Sequence, residues 1–189
     1  MEPRIQYAQT SDGVSIAYAT IGQGPPLVAC PRGFDQFSRQ VAPWHALMER
    51  LGQGRLLVLY DHRGTGLSER NVKDFPLEAY LRDLEAVVRA ARIRRFALFA
   101  TALSGPGAIA YAARHQRQVR QLILYGTFSG GADVMPLERL NPLIELCRSN
   151  WELASQVFAD MGIRKQQPDL AVQISEFTRA SCTGEVTAA

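Results

Sequence analysis

The chain has 189 residues and 47% apolar content, enough to bury the core of one domain or of one domain with a small appended subdomain. Its net charge of +3 is mild. The short basic cluster Arg89, Arg92, Arg94 and Arg95 lacks aromatic interleaving, so it reads as a solvated helix end and no nucleic-acid partner is expected. Cys30, Cys147 and Cys182 are widely separated and odd in number, and no Cys/His ligand spacing accompanies them. Neither a disulfide framework nor a metal site is indicated. No cofactor is expected. No run approaches the ~20 apolar residues of a membrane helix, and the N-terminus shows no apolar leader. A cytoplasmic setting without a membrane partner is the expectation.

In chain order, Ile5 to Gln9 and Val14 to Thr20 read as two strands joined by Thr10-Ser11-Asp12-Gly13, where Asp-Gly is a hairpin signal. Gly22 to Pro26 breaks the chain. Leu27 to Cys30 is a short apolar strand of the kind buried on both faces of a parallel sheet, and Pro31-Arg32-Gly33-Phe34 is a turn. Trp44 to Leu51 has helical spacing, with Trp44, Leu47, Met48 and Leu51 on one face. Arg55 to Tyr60 is another apolar strand. It leads into the polar, glycine-punctuated loop Asp61-His62-Arg63-Gly64-Thr65-Gly66-Leu67-Ser68. Leu77 to Ile93 is the clearest helix, with the stripe Leu77, Tyr80, Leu81, Leu84, Val87, Val88 and Ala91. Pro76 and Glu78 suit its start.

The most informative stretch follows. An apolar strand, Phe96 to Ala100, enters Thr101-Ala102-Leu103-Ser104, and a small-residue helix leaves it from Gly105 to about Arg114. One more strand, Gln121 to Tyr125, ends the alternation. From Pro136 onward only helix signals remain: Leu137 to Ser149, Trp151 to Met161 and Leu170 to Ala180. Strands alternating with helices call for a mostly parallel sheet with flanking helices. The expected organisation is a core over 1–130 and a helical cap or arm over 131–189.

Three landmarks resemble the N-terminal part of an α/β-hydrolase. Asp61 to Ser68 is similar to that family's D-x-R-G-x-G-x-S loop. Ala110-Tyr111-Ala112-Ala113-Arg114-His115 is similar to the end of the helix after the nucleophile. Pro31-Arg32-Gly33-Phe34 lies where the family places its oxyanion loop. Within the family, the N-terminus and Ser104-Gly105-Pro106 resemble hydrolase-like domains attached to bacterial adenylate cyclases or helix-turn-helix regulators. The resemblance implies an α/β-hydrolase fold, incomplete here. It also implies that an acid and a histidine follow on two further strands, which these residues do not include.

A strand–turn–helix elbow lifts a serine oxygen into a pocket, and the next N–H helps hold the oxyanion. Two registers fit. The gap-free match puts Ala102 at the nucleophile position, and a methyl group cannot attack a carbonyl. The other uses Ser104, flanked by Ala102 and Pro106. Otherwise the Ser104 hydroxyl is expected to cap the helix. His115 is eleven residues past Ser104, roughly 16 Å along the helix, beyond hydrogen-bond reach. His45 and His62 are on earlier elements. Asp133, Asp160 and Asp169 could supply a carboxylate, which without a histidine completes no triad.

Arg32, Gly33, Phe34, Leu103 and Gly105 are the candidate oxyanion or ligand-binding residues, with Arg32 suited to an anionic ligand group. Asp61 and Arg63 are expected to pair and brace their loop, and Cys30 to be a small core residue. The expected function is a non-catalytic domain of serine-hydrolase lineage, without an intact Ser-Asp-His triad, that binds a small molecule or a partner. The alternative is an esterase-like hydrolase using Ser104, with the other catalytic groups supplied by a missing region or partner chain. An exposed sheet edge or the helical arm could also support a homo-oligomer.

Overall fold

The computed structural model describes residues 4–33, 36–38, 42–73, 75–130, 136–162 and 166–188. The hairpin is β1 (Gln6–Gln9) and β2 (Ser15–Ile21), antiparallel, with Gln9 opposite Ser15. Gly13 takes φ +86 in the turn, a left-handed value that glycine accepts without a Cβ clash. β3 (Pro26–Ala29), β4 (Leu56–Tyr60), β5 (Phe96–Ala102) and β6 (Val119–Thr127) supply the parallel pairs. The six strands lie in the order β1-β2-β4-β3-β5-β6, with β2 antiparallel to β4.

The apolar runs of β3, β4 and β5 are explained by burial on both faces. On one face Val28, Val58, Tyr60, Leu98 and Ala100 pack with α2 (Leu77–Ala90) and α3 (Gly105–Arg114). On the other, Leu27, Ala29, Leu57, Leu59 and Phe99 pack with Met48, Trp44 and Leu47 of α1 (Ala42–Gly52). The helical stripe read at Trp44, Leu47, Met48 and Leu51 therefore faces the sheet. Along α2, Leu81, Leu84, Val87 and Val88 are buried, whereas Leu77 is exposed at the first turn. The helix is shorter than its periodicity suggested, because Arg92 adopts φ +55 just past its end. Arg89, Arg92, Arg94 and Arg95 are exposed. β6 closes one side of the sheet, and Tyr125 on it is 65% exposed.

The C-terminal helices are α4 (Leu137–Ser149), α5 (Trp151–Gly162), α6 (Pro168–Ser181) and the short α7 (Gly184–Ala188), the last unforeseen in the sequence. Cys147, Ala154 and Ala188 form a small core of their own with Trp151 and Phe158 alongside. Between α5 and α6 the buried Ser155 and Ser175 hydroxyls meet at 3.0 Å. No described helix is long and apolar enough to cross a membrane.

The loop after β4 joins these parts. Asp61 and Arg63 do not pair with each other. The buried Asp61 carboxylate accepts the backbone N–H of Phe37 (2.6 Å) and of Leu67 (2.9 Å), which shapes the glycine turn. Arg63, 2% exposed, donates from Nε to Asp83 of α2 (2.9 Å) and from Nη1 to Asp12 of the hairpin (2.8 Å). The Gly66 N–H donates to the Ser181 carbonyl at the end of α6 (2.7 Å), docking the C-terminal helices onto the same loop. A buried ion pair contributes little over an apolar replacement of both partners. Removing one partner strands the other charge at a cost of about 3–5 kcal/mol. Arg63→Met should therefore lower the unfolding free energy in urea by about 3–5 kcal/mol. Arg82→Met, at the partly exposed cation that also reaches Asp12 (3.0 Å), should cost well under half of that.

Candidate functional site

The end of β5 forms the elbow. Ala102, its last residue, takes φ +49, one of two positive values at non-glycine positions among the described residues. A left-handed L-residue carries strain of about 1 kcal/mol or more, which persists only where the surroundings over-determine it. Here they do. β5 pairs with strands on both sides, and the Ala102 carbonyl accepts from the Thr127 hydroxyl. Gly105 lies so close to Thr127 and Phe128 that a Cβ would overlap the Thr127 hydroxyl. The chain thus turns on the methyl group of residue 102.

Ser104 stands two residues further, at the N-cap of α3, and is 6% exposed. The expected helix cap is not what its hydroxyl forms, because no side-chain cap hydrogen bond is present. Its backbone is already αR (φ −81), so the side chain reaches back over the turn. Oγ donates to the Thr101 carbonyl (2.8 Å) and accepts the Thr101 N–H (3.0 Å). The hydroxyl therefore braces the strained turn.

The loop after β3 meets the elbow directly. The Leu103 N–H, the donor an oxyanion hole would aim at substrate, instead donates to the Arg32 carbonyl at 2.9 Å. Gly33, at φ +151, lies so close that a Cβ there would come within 2.6 Å of the Leu103 side chain. The Arg32 guanidinium sits 4.5 Å from the centre of the Trp44 ring, a cation–π contact. Phe34, the remaining member of the predicted set, lies outside the described residues, as does Asp133. Ser104, Leu103 and Gly33 thus come together at one place, with Gly105 directly behind them.

Beside the elbow lies a cavity of about 540 Å³, within the size range of small-molecule sites. Its wall includes Tyr60, His62, Tyr80, Leu84, Leu103 and Ser104. His62 is 7% exposed and set edge-on to Tyr60 and Tyr80, with ring centres 5.4 and 4.8 Å away. Its Nδ1 has no hydrogen-bond partner and stands 3.9 Å from the Asp83 carboxylate. Burial, helped by the Arg63 charge, lowers its pKa to about 3, so the ring is neutral at pH 7. Cys30 is also in the wall, and burial pushes its thiol up to about 12, which keeps it protonated at neutral pH.

His115 caps the far end of α3, stacked on Tyr111 and 3.3 Å from Glu85. Asp160 and Asp169 lie in α5 and α6. No group of three or more His, Cys, Asp or Glu side chains suited to a metal occurs among the described residues. In the sequence His62 counts only as a histidine on an element before the elbow, and Tyr60 and Tyr80 only as strand and helix-stripe residues. The fold brings the three together at the cavity wall.

The family model described as alpha/beta hydrolase fold matches residues 25–174. The chain belongs to this family. It is 27% identical over 169 residues to the pyrrolizixenacetamide deacetylase of Xenorhabdus hominickii, which covers 86% of the chain and 62% of that protein. The chain therefore spans somewhat under two-thirds of this relative's length. Among solved structures, a hydrolase from Pseudomonas aeruginosa PA01 superposes with a TM-score of 0.82 at 18% identity, covering 98% of this chain and 71% of that one. An esterase from Exiguobacterium antarcticum gives 0.81 at 20% identity, covering 97% and 71%. At such identities these two likenesses establish the fold alone.

The buried neutral histidine has a consequence for stability. Its pKa is lower in the folded than in the unfolded state, so the unfolded chain binds the extra proton between about pH 6.5 and about 3. Stability falls as pH drops through that window. Between pH 7 and pH 5 the His62 contribution should be about 2 kcal/mol. Urea unfolding of the protein and of His62→Phe at both pH values should show that the variant removes most of this slope.

Proposed function

We propose that this chain is a non-catalytic member of the α/β-hydrolase family whose cavity binds a small molecule. The observation that carries the reading is Ala102 at the turn of the elbow. Further chain could bring an acid and a histidine, yet it could not place an oxygen on residue 102. The neighbouring geometry supports the same reading. The Leu103 N–H is engaged by Arg32, and the Ser104 hydroxyl by Thr101. An oxyanion developing beside Leu103 would have to displace the Arg32 carbonyl first, which works against preorganised stabilisation.

The second reading, an esterase-like or deacetylase-like hydrolase using Ser104, draws on two observations. Ser104 lines the cavity, and a relative at 27% identity carries the name of a deacetylase. Against it, attack by Ser104 would need both hydrogen bonds to Thr101 broken and a base within about 3 Å. His115 is held at the opposite end of α3.

Hydrolysis of 4-nitrophenyl acetate separates the two. The expected result is a rate for the full chain no greater than the protein-free rate beyond what its surface groups give, and unchanged by Ser104→Ala. Saturable turnover that Ser104→Ala reduces a hundredfold or more would establish the second reading instead.

A further inference from the structure

The cavity contains a polar side chain that the protein leaves unsatisfied. His62 is more than nine-tenths buried, and its Nδ1 is sealed from solvent without a partner. Nε2 is not sealed in the same way, and no hydrogen bond joins it to another described residue. Buried polar groups left without partners are uncommon, and each asks for an explanation. Tyr60 and Tyr80 hold the ring edge-on, and its backbone carbonyl accepts from the Thr65 hydroxyl at 2.9 Å, so the imidazole is kept at the wall.

The surroundings favour one ring nitrogen for the proton. The Asp83 carboxylate, 3.9 Å from Nδ1, favours an N–H at that position. Nε2 is then a lone-pair acceptor. A group that satisfies it must donate a hydrogen bond.

The rest of the wall sets the character of the ligand. Phe75, Leu77, Leu84, Leu103 and Val186 present apolar surface. Arg63 is the charged side chain in the wall, and its guanidinium is already engaged by Asp83 and Asp12. An anionic group would therefore find no unengaged cation on this wall.

We propose that the cavity binds a neutral, largely apolar alcohol or phenol whose hydroxyl donates to Nε2 of His62. This rests on the reading of the cavity as a ligand site. It extends that reading by naming the chemical class and the residue that selects it. The ring body lies against Leu84, Leu103 and Val186, and selectivity comes from the single donated hydrogen bond. A ligand that can only accept would meet the lone pair of Nε2 and leave it unpaired.

Calorimetric titration of the full chain at pH 7.5 with 2-naphthol and with 2-methoxynaphthalene reads this directly. The two probes share a ring system and differ in whether the oxygen can donate. The expected result is 2-naphthol binding about fivefold tighter or more, the value of one net hydrogen bond. His62→Phe should erase that preference. His62→Gln, which retains a polar acceptor, should restore part of it. Leu77→Trp, at an exposed position in the wall, should remove binding of both probes. Equal affinities for the two probes, a preference that survives His62→Phe, absence of binding by either probe, or naphthol binding unaffected by Leu77→Trp would each overturn the proposal. None of these outcomes depends on ester turnover, so this selectivity and the absence of catalysis can fail separately.

Discussion

Arg63 is the residue through which the parts of this fold are held in one arrangement. It leaves the end of β4 and is almost fully buried, with Asp83 of α2 and Asp12 of the β-hairpin as its counter-ions. The guanidinium thereby joins three elements distant in sequence. Its desolvation is tolerable only because two carboxylates converge on it. The Asp12 carboxyl is held well below the usual carboxylate range, chiefly by the Arg63 hydrogen bond. The glycine turn beside it is closed by the Asp61 carboxylate and presents the Gly66 N–H to the end of α6. One loop thus fixes the sheet, the central helix and the C-terminal helices, and it carries His62 into the wall of the cavity.

The elbow is the second constraint. A strand followed at once by a helix on a strained residue is a geometry that exposes a side chain at the turn, and here that side chain is a methyl group. The turn is kept nevertheless. Ser104 ties Thr101 from above, Thr127 ties the Ala102 carbonyl from the side, and the absence of a Cβ at Gly105 allows the approach. The turn is held by backbone pairing and by neighbouring side chains, with no contribution from the side chain of residue 102. The Leu103 N–H is likewise engaged within the protein, by the Arg32 carbonyl.

Much of the architecture could be read from residue pattern, because the forces that form it are local or periodic. Apolar runs at Leu27, Leu57 and Phe96 mark strands buried on both faces, and the 3.6 spacing from Leu81 to Val88 marks the helix between them. The D-x-R-G-x-G-x-S stretch marked the loop and its family. Gap-free spacing favours Ala102 over Ser104 at the turn of the elbow, and the positive φ falls at residue 102. The direction of the Ser104 hydroxyl, back onto Thr101, has no sequence signature. The partners of Asp61 and Arg63 were misassigned for a related reason. Adjacent opposite charges suggest a pair, whereas the actual partners, the N–H groups of Phe37 and Leu67 for one and Asp83 and Asp12 for the other, are set by tertiary packing. His62 reads in the sequence only as a histidine on an element before the elbow, because its burial beside Tyr60 and Tyr80 is set by tertiary packing and not by its neighbours in the chain.

The central claim is that the elbow presents no nucleophile. Intact-mass spectrometry of the full chain after incubation with a fluorophosphonate tests it without reference to any particular substrate, since the reagent leaves a stable phosphonyl group on an activated serine. The account predicts the unmodified mass for the protein and for Ser104→Ala alike. A single stoichiometric adduct that maps to Ser104 and disappears in Ser104→Ala would contradict it.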